Sequence, residues 1–287
     1  MANLKELRSR ITTVGSTMQI TSAMKMVSAA KLKRAQDAIT ELRPYAQKLE
    51  EILVNVSATL DSSEGAFSRQ TEKVQKVLLV VISSNRGLCG AFNANIVKRV
   101  MAYQKQSTAT VDTFFMGKKG GEILLKRGSN EPIGERNNIY DDLSYANTTT
   151  VAEMLMEKFL AGDYDRIELV YNRFVNAATQ QVQCEQFLPI REVKGEGQSS
   201  GDYIYEPGKE EILEDLIPKS LKTQLFKSLL DSQASEHGAR MTAMHKATDN
   251  AQDLKRALSL EYNKARQAAI TNEILEIVGG ANALADS

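Results

Sequence analysis

The chain has 287 residues, which is enough for one large domain or two smaller ones with a buried core. Its 36 basic and 36 acidic residues balance, which argues against a general polyanion binder and hence against a nucleic acid partner. The longest aliphatic run, 77–82, is far shorter than the roughly 20 residues that span a bilayer, and the N-terminus has no apolar h-region. Cys89 and Cys184 form no metal-ligand spacing and no disulfide framework, so we expect a soluble, unsecreted protein from a reducing compartment.

The first 60 residues carry one heptad phase without a slip, which predicts a long coiled-coil helix over 1–60, about 85 Å in length. Pro44 removes an intrahelical hydrogen bond, so we expect a kink or a short break near Arg43. The pattern comprises Leu4, Leu7, Ile11, Val14, Met18, Thr21, Lys25, Ser28, Leu32, Ala35, Ile39, Leu42, Ala46, Leu49, Leu53, Val56 and Leu60.

The middle of the chain, 74–195, changes to a strand–helix alternation. Strands are predicted in "KVLLVVISS", "TVDTFFMG", "YDRIELVYNRF" and "QQVQCEQFLPI", and helices over 93–106, 118–126 and 149–161. This order predicts a Rossmann-like α/β domain with a mostly parallel sheet. The Gly- and Ser-rich "REVKGEGQSSGDY" that follows is predicted to be a loop or linker.

The last third, 209–284, predicts a second long helix, break-poor from about Lys219 to Val278. Gly279 and Gly280 are typical of a helix C-cap. The two terminal helices can pair as an antiparallel coiled coil if the middle domain returns the chain to the same place. The seam of this helix comprises Ala234, His237, Met241, Met244, Thr248, Ala251, Leu254, Leu258, Tyr262, Ala265 and Ala269.

No motif for catalysis or for a cofactor accompanies this fold. The glycine clusters "SSNRGLCGAFN" and "GKKGG" lack the G-x-G-x-x-G and Walker A patterns, so they are interpreted as turn chemistry. His237 and His245 lack the i, i+4 spacing of a metal pair, and His237 on the seam suits packing or a polar register device. We therefore expect a non-catalytic chain without a bound metal or cofactor.

The segment "ITSAMKMVSAAKL", 20–32, carries apolar side chains all round the helix. Met24, Met26 and Val27 lie off the seam, so the partner helix alone cannot bury them. Either a second layer of protein approaches from outside, or the α/β domain covers them, although it can cover only part of so long a rod. The C-terminal "AAITNEILEIVGGANAL" is similarly apolar almost to its end. Together these segments predict a slender helical shaft whose tip sits in an apolar collar.

Over essentially its whole length the chain resembles the gamma subunit of the F-type ATP synthase, of the bacterial type. "ITNEILEIVGGANA" resembles the C-terminal signature of that family, with Ile270, Thr271, Glu273, Glu276, Gly280, Ala281 and Ala283 in place. "ITSAMKMVSAAKLKRA", "SSNRGLCGAFN", "DYIYEP" and "ASEHGARMTAMHKATDNA" are similar to its other landmarks, in the same order. The chain departs from the family in "STMQIT", at Asn85 and at Gly238.

This resemblance implies a central rotor shaft that couples ion-driven rotation of the membrane ring to ATP synthesis or hydrolysis in the alpha/beta ring. The implied location is peripheral, at the cytoplasmic face of the inner membrane, in a proton-translocating complex of which this chain is a non-catalytic subunit. The implied partners are the alpha and beta subunits, the epsilon subunit and the membrane rotor ring. The implied partner contacts are Met24, Lys25, Arg86, Arg266, Gln267, Thr271 and Glu273, together with Tyr203, Tyr205 and Glu206 in the foot formed by the α/β domain.

Two other classes of protein remain as alternatives. A static coiled-coil scaffold would explain the long helices, and tight self-association through the apolar tip would favour it. An α/β enzyme with helical arms would need a ligand site, and nucleotide binding that depends on residues 86–90 would favour it.

Overall fold

The computed structural model describes residues 4–57, 67, 69, 73–190 and 209–285. The chain divides into two compact units. Residues 1–27 with 241–287 form what we call the paired-helix unit, and residues 28–240 form the sheet unit. The elements are α1 Leu4–Ser57, β1 Lys76–Ile82, α2 Phe92–Gln106, β2 Thr110–Met116, α3 Lys118–Lys126, β3 Gly134–Glu135, a 3-10 helix Asn137–Tyr140, α4 Tyr145–Leu160, β4 Arg166–Phe174, β5 Gln180–Leu188 and α5 Lys209–Ala285.

The sheet unit contains a five-stranded sheet with the order β3-β2-β1-β4-β5. β1 lies at its centre and pairs in parallel with β2 and β4, and β2 pairs in parallel with β3. β5 is antiparallel to β4, with a register irregularity between Ile167 and Glu168. The predicted α/β domain with a mostly parallel sheet is therefore confirmed, since helices connect the parallel strands as βαβ units require.

Each face of the sheet has its own hydrophobic core, because successive side chains of a strand point to opposite faces. Leu78, Val80 and Ile82 of β1 pack on one face with residues of α4 and of the first part of α5. Val77 and Leu79, with Val81, pack on the other face with residues of α2 and α3. Helices thus cover both faces of the sheet, which is why β1 is almost continuously apolar.

In the paired-helix unit, α1 and α5 run antiparallel, because contacts that move forward along α1 move backward along α5. Gly15 lies beside Lys255, and the hydroxyl of Thr248 donates a 2.8 Å hydrogen bond to the hydroxyl of Thr21. Along α1, every heptad position from Leu4 to Leu49 is buried or half-buried. The predicted burial of these positions is confirmed over this range, whereas the side chains at positions 53, 56 and 60 lie outside the described part of the chain.

Helix-breaking residues do not interrupt either long helix. α1 continues through Pro44 without the short break that was one of two expectations there, whereas the kink stays a prediction. α5 spans Lys209–Ala285, close to the predicted 209–284, and includes Pro218. It also continues through Gly279 and Gly280 to Ala285, so these glycines are not a C-cap.

One seam position of α5 was also assigned to the wrong residue. Leu254 is half exposed, and Lys255 is the half-buried residue at this turn. Neither β3 nor the 3-10 helix was predicted, and α4 begins at Tyr145, earlier than expected. None of the described helices has the length and apolarity needed to cross a lipid bilayer.

Candidate partner interface

The last turns of α5 expose a run of apolar side chains in the paired-helix unit. Every residue from Thr271 to Ala281 is exposed. The five large apolar side chains are between 43% and 71% exposed: Ile270, Ile274, Leu275, Ile277 and Val278. A contiguous apolar surface of this kind marks a site of protein–protein contact.

A second apolar surface lies on α1 in the same unit. Ile20, Met26 and Val27 are each more than half exposed. The prediction that a second layer of protein covers Met26 and Val27 stays a prediction. Met24 itself is half-buried.

Lys25 is half-buried and lies against α5. Its Nζ is 3.4 Å from Nδ1 of His245, and the same Nδ1 is 3.4 Å from a carboxylate oxygen of Asp249. This largely exposed polar group lies beside the seam, at a position of α1 where the heptad pattern has no apolar residue. Lys25 therefore has a contact within its own chain, and its predicted contact with a partner stays a prediction.

The four polar positions predicted on α5 are all exposed: Arg266, Gln267, Thr271 and Glu273. The hydroxyl of Thr271 donates a 2.9 Å hydrogen bond to the carbonyl oxygen of Gln267, a local bond within the helix. By the heptad register Arg266 flanks the seam and Gln267 lies on the opposite side of the helix from it. They are available to a partner without any change in the pairing of the helices.

In the sheet unit, the turn after β1 is held rigidly while it exposes an apolar side chain. The amide of Asn93 donates to the hydroxyl of Ser84 at 2.7 Å and to the sulfur of Cys89 at 3.3 Å. Ser84 in turn donates to the carbonyl oxygen of Arg86 at 2.7 Å. Leu88 has a φ of 61° and is 67% exposed, a strained conformation in an otherwise anchored turn.

Arg240 of α5 fixes this turn from the opposite side. Its Nη2 donates to the carbonyl oxygens of Arg86 and Gly87 at 3.1 and 3.3 Å, and its Nη1 forms a 2.7 Å ion pair with Glu236. Burial raises the pKa of Glu236, and the charge of Arg240 opposes that shift. The side chain of Arg86 remains exposed while its backbone is held.

Sequence reasoning did not identify Arg240 as a residue that positions this turn. The only signal was the i, i+4 spacing of Glu236 and Arg240 on a helix, which is usually a solvated ion pair. Here both side chains are about nine-tenths buried.

His237 is also buried, with Nδ1 3.5 Å from Nη1 of Arg240. Burial, and then the charges of Arg240 and Lys31, lower its pKa from 6.5 to about 4. It is therefore neutral at pH 7 and acts in packing, in line with the prediction for this seam position. Among the described residues, no group of three or more His, Cys, Asp or Glu side chains could hold a metal ion.

The glycine cluster at 117–121 brings backbone and side chains close together. Gly117 has a φ of 110°, and a Cβ there would overlap the carbonyl group of Ser83. A Cβ at Gly120 would lie 2.7 Å from both Phe115 and Ser83. These glycines serve a turn and close packing, as predicted.

The predicted contacts Tyr203, Tyr205 and Glu206 lie outside the described residues.

Comparison with known proteins gives a consistent result along the chain. Residues 3–284 match the family model described as ATP synthase. The chain is 63% identical over 286 residues to the ATP synthase gamma chain of Flavobacterium johnsoniae and 62% identical over 286 residues to that of Flavobacterium psychrophilum, and each match covers 99% of both chains.

Solved structures show the same fold. A chain of the rotor of the Euglena gracilis mitochondrial ATP synthase is 24% identical with a TM-score of 0.68, over 93% of this chain and 98% of that one. A chain of the central stalk and c-ring structure of the Tetrahymena thermophila mitochondrial ATP synthase is 25% identical with a TM-score of 0.59, over 79% and 99%. The chain therefore belongs to the ATP synthase gamma chain family.

Proposed function

We propose that the chain is the central rotor shaft of an F-type ATP synthase. It couples ion-driven rotation of a membrane ring to ATP synthesis or hydrolysis in a ring of alpha and beta subunits. Membership of the gamma chain family supports this role, and gamma chains are non-catalytic subunits of the complex.

The observation that carries the proposal is the exposed apolar end of α5, from Ile270 to Val278. A chain working alone in water would be expected to bury these side chains or to replace them with polar ones. A bearing surface inside a ring of other subunits accounts for them. Methionine, alanine and valine surfaces also suit a shaft that must turn, since they avoid deep interlocking pockets.

Coupling follows from a mismatch of symmetry. A single shaft inside a threefold ring presents a different face to each catalytic site, so each site is held in a different conformation with its own affinity for nucleotide. An element without catalytic groups can shift such an equilibrium only by making different contacts in the different states. The polar positions Arg266, Gln267, Thr271 and Glu273, set in an otherwise apolar surface, supply such contacts.

The partners we propose are the alpha and beta subunits around the paired-helix unit, and the epsilon subunit and the membrane ring at the sheet unit. Related chains occur in structures of the mitochondrial F1 and c-ring assembly of Euglena gracilis. Through such a complex the chain is held at the cytoplasmic face of the inner membrane.

The test is co-expression with the alpha, beta and epsilon subunits of the same organism. The wild-type chain is expected to copurify with all three and to support ATP-driven ion pumping after reconstitution with the membrane sector. Ile274→Asp with Ile277→Asp is expected to weaken copurification with alpha and beta, because it places two charges in the apolar end of α5. Leu160→Asp is the matched control, since Leu160 is an exposed apolar residue on a helix of the sheet unit.

Unchanged copurification and pumping by the double aspartate variant would contradict the proposal. The competing role as a static scaffold predicts a different result, in which the isolated wild-type chain forms tight dimers that the same two substitutions dissociate.

A further inference from the structure

The sheet unit contains a cavity of about 400 Å³ that plays no part in the role described above. Its walls come from α1, from β4 and β5, and from α5. The apolar part of the wall includes Ile39 and Leu42 of α1 and Phe174 of β4. A volume of this size lies within the range of small-ligand sites.

Three positively charged side chains converge on this cavity from three different elements. They are Arg43 of α1, Arg173 of β4 and Lys227 of α5, and all three are exposed. No hydrogen bond or ion pair joins any of them to another described residue. Like charges that lie near one another repel, and the two carboxylates of the wall, Glu185 and Asp231, form no ion pair with these cations, so an anion bound in the cavity would stabilise the arrangement.

The carboxylate of Glu185 in the cavity wall is already satisfied by neutral donors. The hydroxyl of Tyr171 donates to its Oε2 at 2.7 Å, and the amide of Gln224 donates to its Oε1 at 2.7 Å. Burial, and then the nearby charge of Glu185, raise the pKa of Tyr171 well above its usual value, so that hydroxyl remains a donor. Glu185 is therefore held in the wall and forms no ion pair with the three cations.

Asp231 is the unusual member of the cavity. It lines the wall and is only 7% exposed, yet it has no hydrogen bond or ion pair with any described residue. Burial raises the pKa of its carboxyl, and the charges of Lys227, Arg173 and Arg43 oppose that shift. The carboxyl thus lies among the three cations but beyond ion-pair distance of each. The carboxylate oxygens of Asp231 are open to the cavity rather than enclosed, so a bound ligand can donate a hydrogen bond to them.

We propose that this cavity binds a small oxyanion of the phosphate class. The two guanidinium groups and the ammonium group suit the oxygens of a multivalent oxyanion, which guanidinium binds in a forked geometry. Asp231 completes the site by accepting a hydrogen bond from the P–OH group of hydrogen phosphate. This acceptor selects an anion that carries a proton, so sulfate, which carries none near pH 7, is bound less well.

Two sources share this chemistry, free inorganic phosphate and the phosphate end of a larger ester or of pyrophosphate. The experiment uses the full-length chain at constant ionic strength, with separate titrations of inorganic phosphate, pyrophosphate, ribose 5-phosphate and sulfate. Calorimetry gives the affinity, and the thermal unfolding midpoint gives an independent measure of binding to the folded state. The ligand that binds most tightly among the first three identifies the source of the phosphate group.

We expect inorganic phosphate or a phosphate compound to bind at least about tenfold more tightly than sulfate, a ratio equivalent to about 1.4 kcal/mol. Arg173→Gln is expected to weaken phosphate binding about tenfold or more. Arg99→Gln is the matched control, because Arg99 is an exposed arginine on α2, away from the cavity wall, and it is expected to leave the affinity unchanged. Asp231→Asn is expected to bring the phosphate-to-sulfate ratio close to one, because an amide can donate to sulfate.

The site does not exist if phosphate and sulfate raise the unfolding midpoint equally in the wild type, or if the Arg99 variant loses as much affinity as the Arg173 variant. Absence of phosphate binding also overturns the proposal. If Lys227 is then protected from chemical acetylation in the assembled complex, the occupant of the cavity is an acidic segment of a partner subunit instead. Arg173 is exposed, so its variant tests the site even if Asp231→Asn were to disturb folding.

Discussion

A guanidinium nitrogen of Arg240 lies 3.1 Å from the carbonyl oxygen of Arg86, a contact between residues on α5 and on the turn after β1. The same guanidinium group is paired with Glu236 in a buried environment. Arg240 thereby fixes a turn that exposes both the side chain of Arg86 and that of Leu88.

Arg240→Gln is expected to lower the free energy of unfolding on the order of 3 kcal/mol, because it leaves the buried carboxylate of Glu236 without its counter-charge. Urea denaturation followed by circular dichroism measures the loss. The double variant Glu236→Gln with Arg240→Gln should recover part of it, since no buried charge then remains. Equal stability of the wild type and the single variant would refute this account.

Gly15 and Gly120 should respond in opposite ways to alanine. A Cβ at Gly15 would make ordinary contacts with Lys255, the nearest at 3.7 Å, so Gly15→Ala should stabilise the helix by about 0.5–1 kcal/mol. A Cβ at Gly120 would lie 2.7 Å from Phe115 and Ser83, so Gly120→Ala should cost about 1–3 kcal/mol. Thermal unfolding of the two variants is the measurement, and shifts of the same sign would count against the packing described here.

His237 should make the protein less stable in mild acid. Its pKa is about 4 in the folded chain against an ordinary value of 6.5, so between these values the unfolded state binds a proton that the folded state does not. Stability from this group is complete above pH 6.5 and falls as the pH is lowered toward 4, by about 3 kcal/mol in total.

The comparison that isolates this effect is between the wild type and His237→Gln. The raised pKa values of Asp231 and Glu236 act in the opposite direction, favouring the folded state as the pH falls, but they are present in both proteins. The difference in unfolding free energy between the two proteins should therefore shrink from pH 7 to pH 4. Parallel stability curves would show that His237 is not the source.

Arg266→Ala with Gln267→Ala should separate folding from coupling. Both side chains are exposed on α5 and lie off the seam, and alanine is the better helix former, so the melting temperature of the isolated chain should hardly change. If these residues form hydrogen bonds to a beta subunit inside the partly desolvated ring of alpha and beta subunits, each charge-assisted hydrogen bond contributes about 1.5–3 kcal/mol to the free energy of that contact. ATP synthesis and ATP-driven ion pumping by the reconstituted enzyme should then decrease. Wild-type levels of both activities, or loss of the fold in the isolated chain, would exclude this role.

ATP hydrolysis by the assembled complex should not respond to thiol reductants. Neither Cys89 nor Cys184 forms a disulfide bond, and burial raises the pKa of Cys89, which lowers its thiolate fraction and its reactivity. The thiol of Cys184 donates a 2.8 Å hydrogen bond to Glu168. Rates with and without dithiothreitol should agree, and a several-fold activation that Cys89→Ser or Cys184→Ser removes would disprove the prediction.

The periodicity of the sequence predicted the burial of α1 well, including polar seam residues such as Thr21 and Ser28. It failed at Leu254 because steps of three and four are both allowed on a helix, and hydropathy favoured leucine over Lys255. In the structure the Cε and Nζ end of Lys255 lies beside Gly15 of α1.

Other features could not be read from local sequence. Glycine and proline are strong signals for a helix end, yet Pro44, Pro218 and Gly279 lie inside helices. The contact between Arg240 and Arg86 joins positions 154 residues apart, and the Asp231 cavity combines four elements. Such long-range contacts follow from the tertiary fold and have no signature in spacing or composition.

The exposed end of α5 has a consequence for amide exchange. From Thr271 to Ala281 no residue is buried, so the helix there depends on its own backbone hydrogen bonds, and Gly279 and Gly280 each weaken it by about 1 kcal/mol relative to alanine. These amides should exchange with deuterium early in the free chain, while those of the buried strand β1 exchange last. An enclosing partner would slow exchange at this end alone. Slower exchange of about a dozen backbone amides in this segment would therefore show when the chain has been incorporated into its complex.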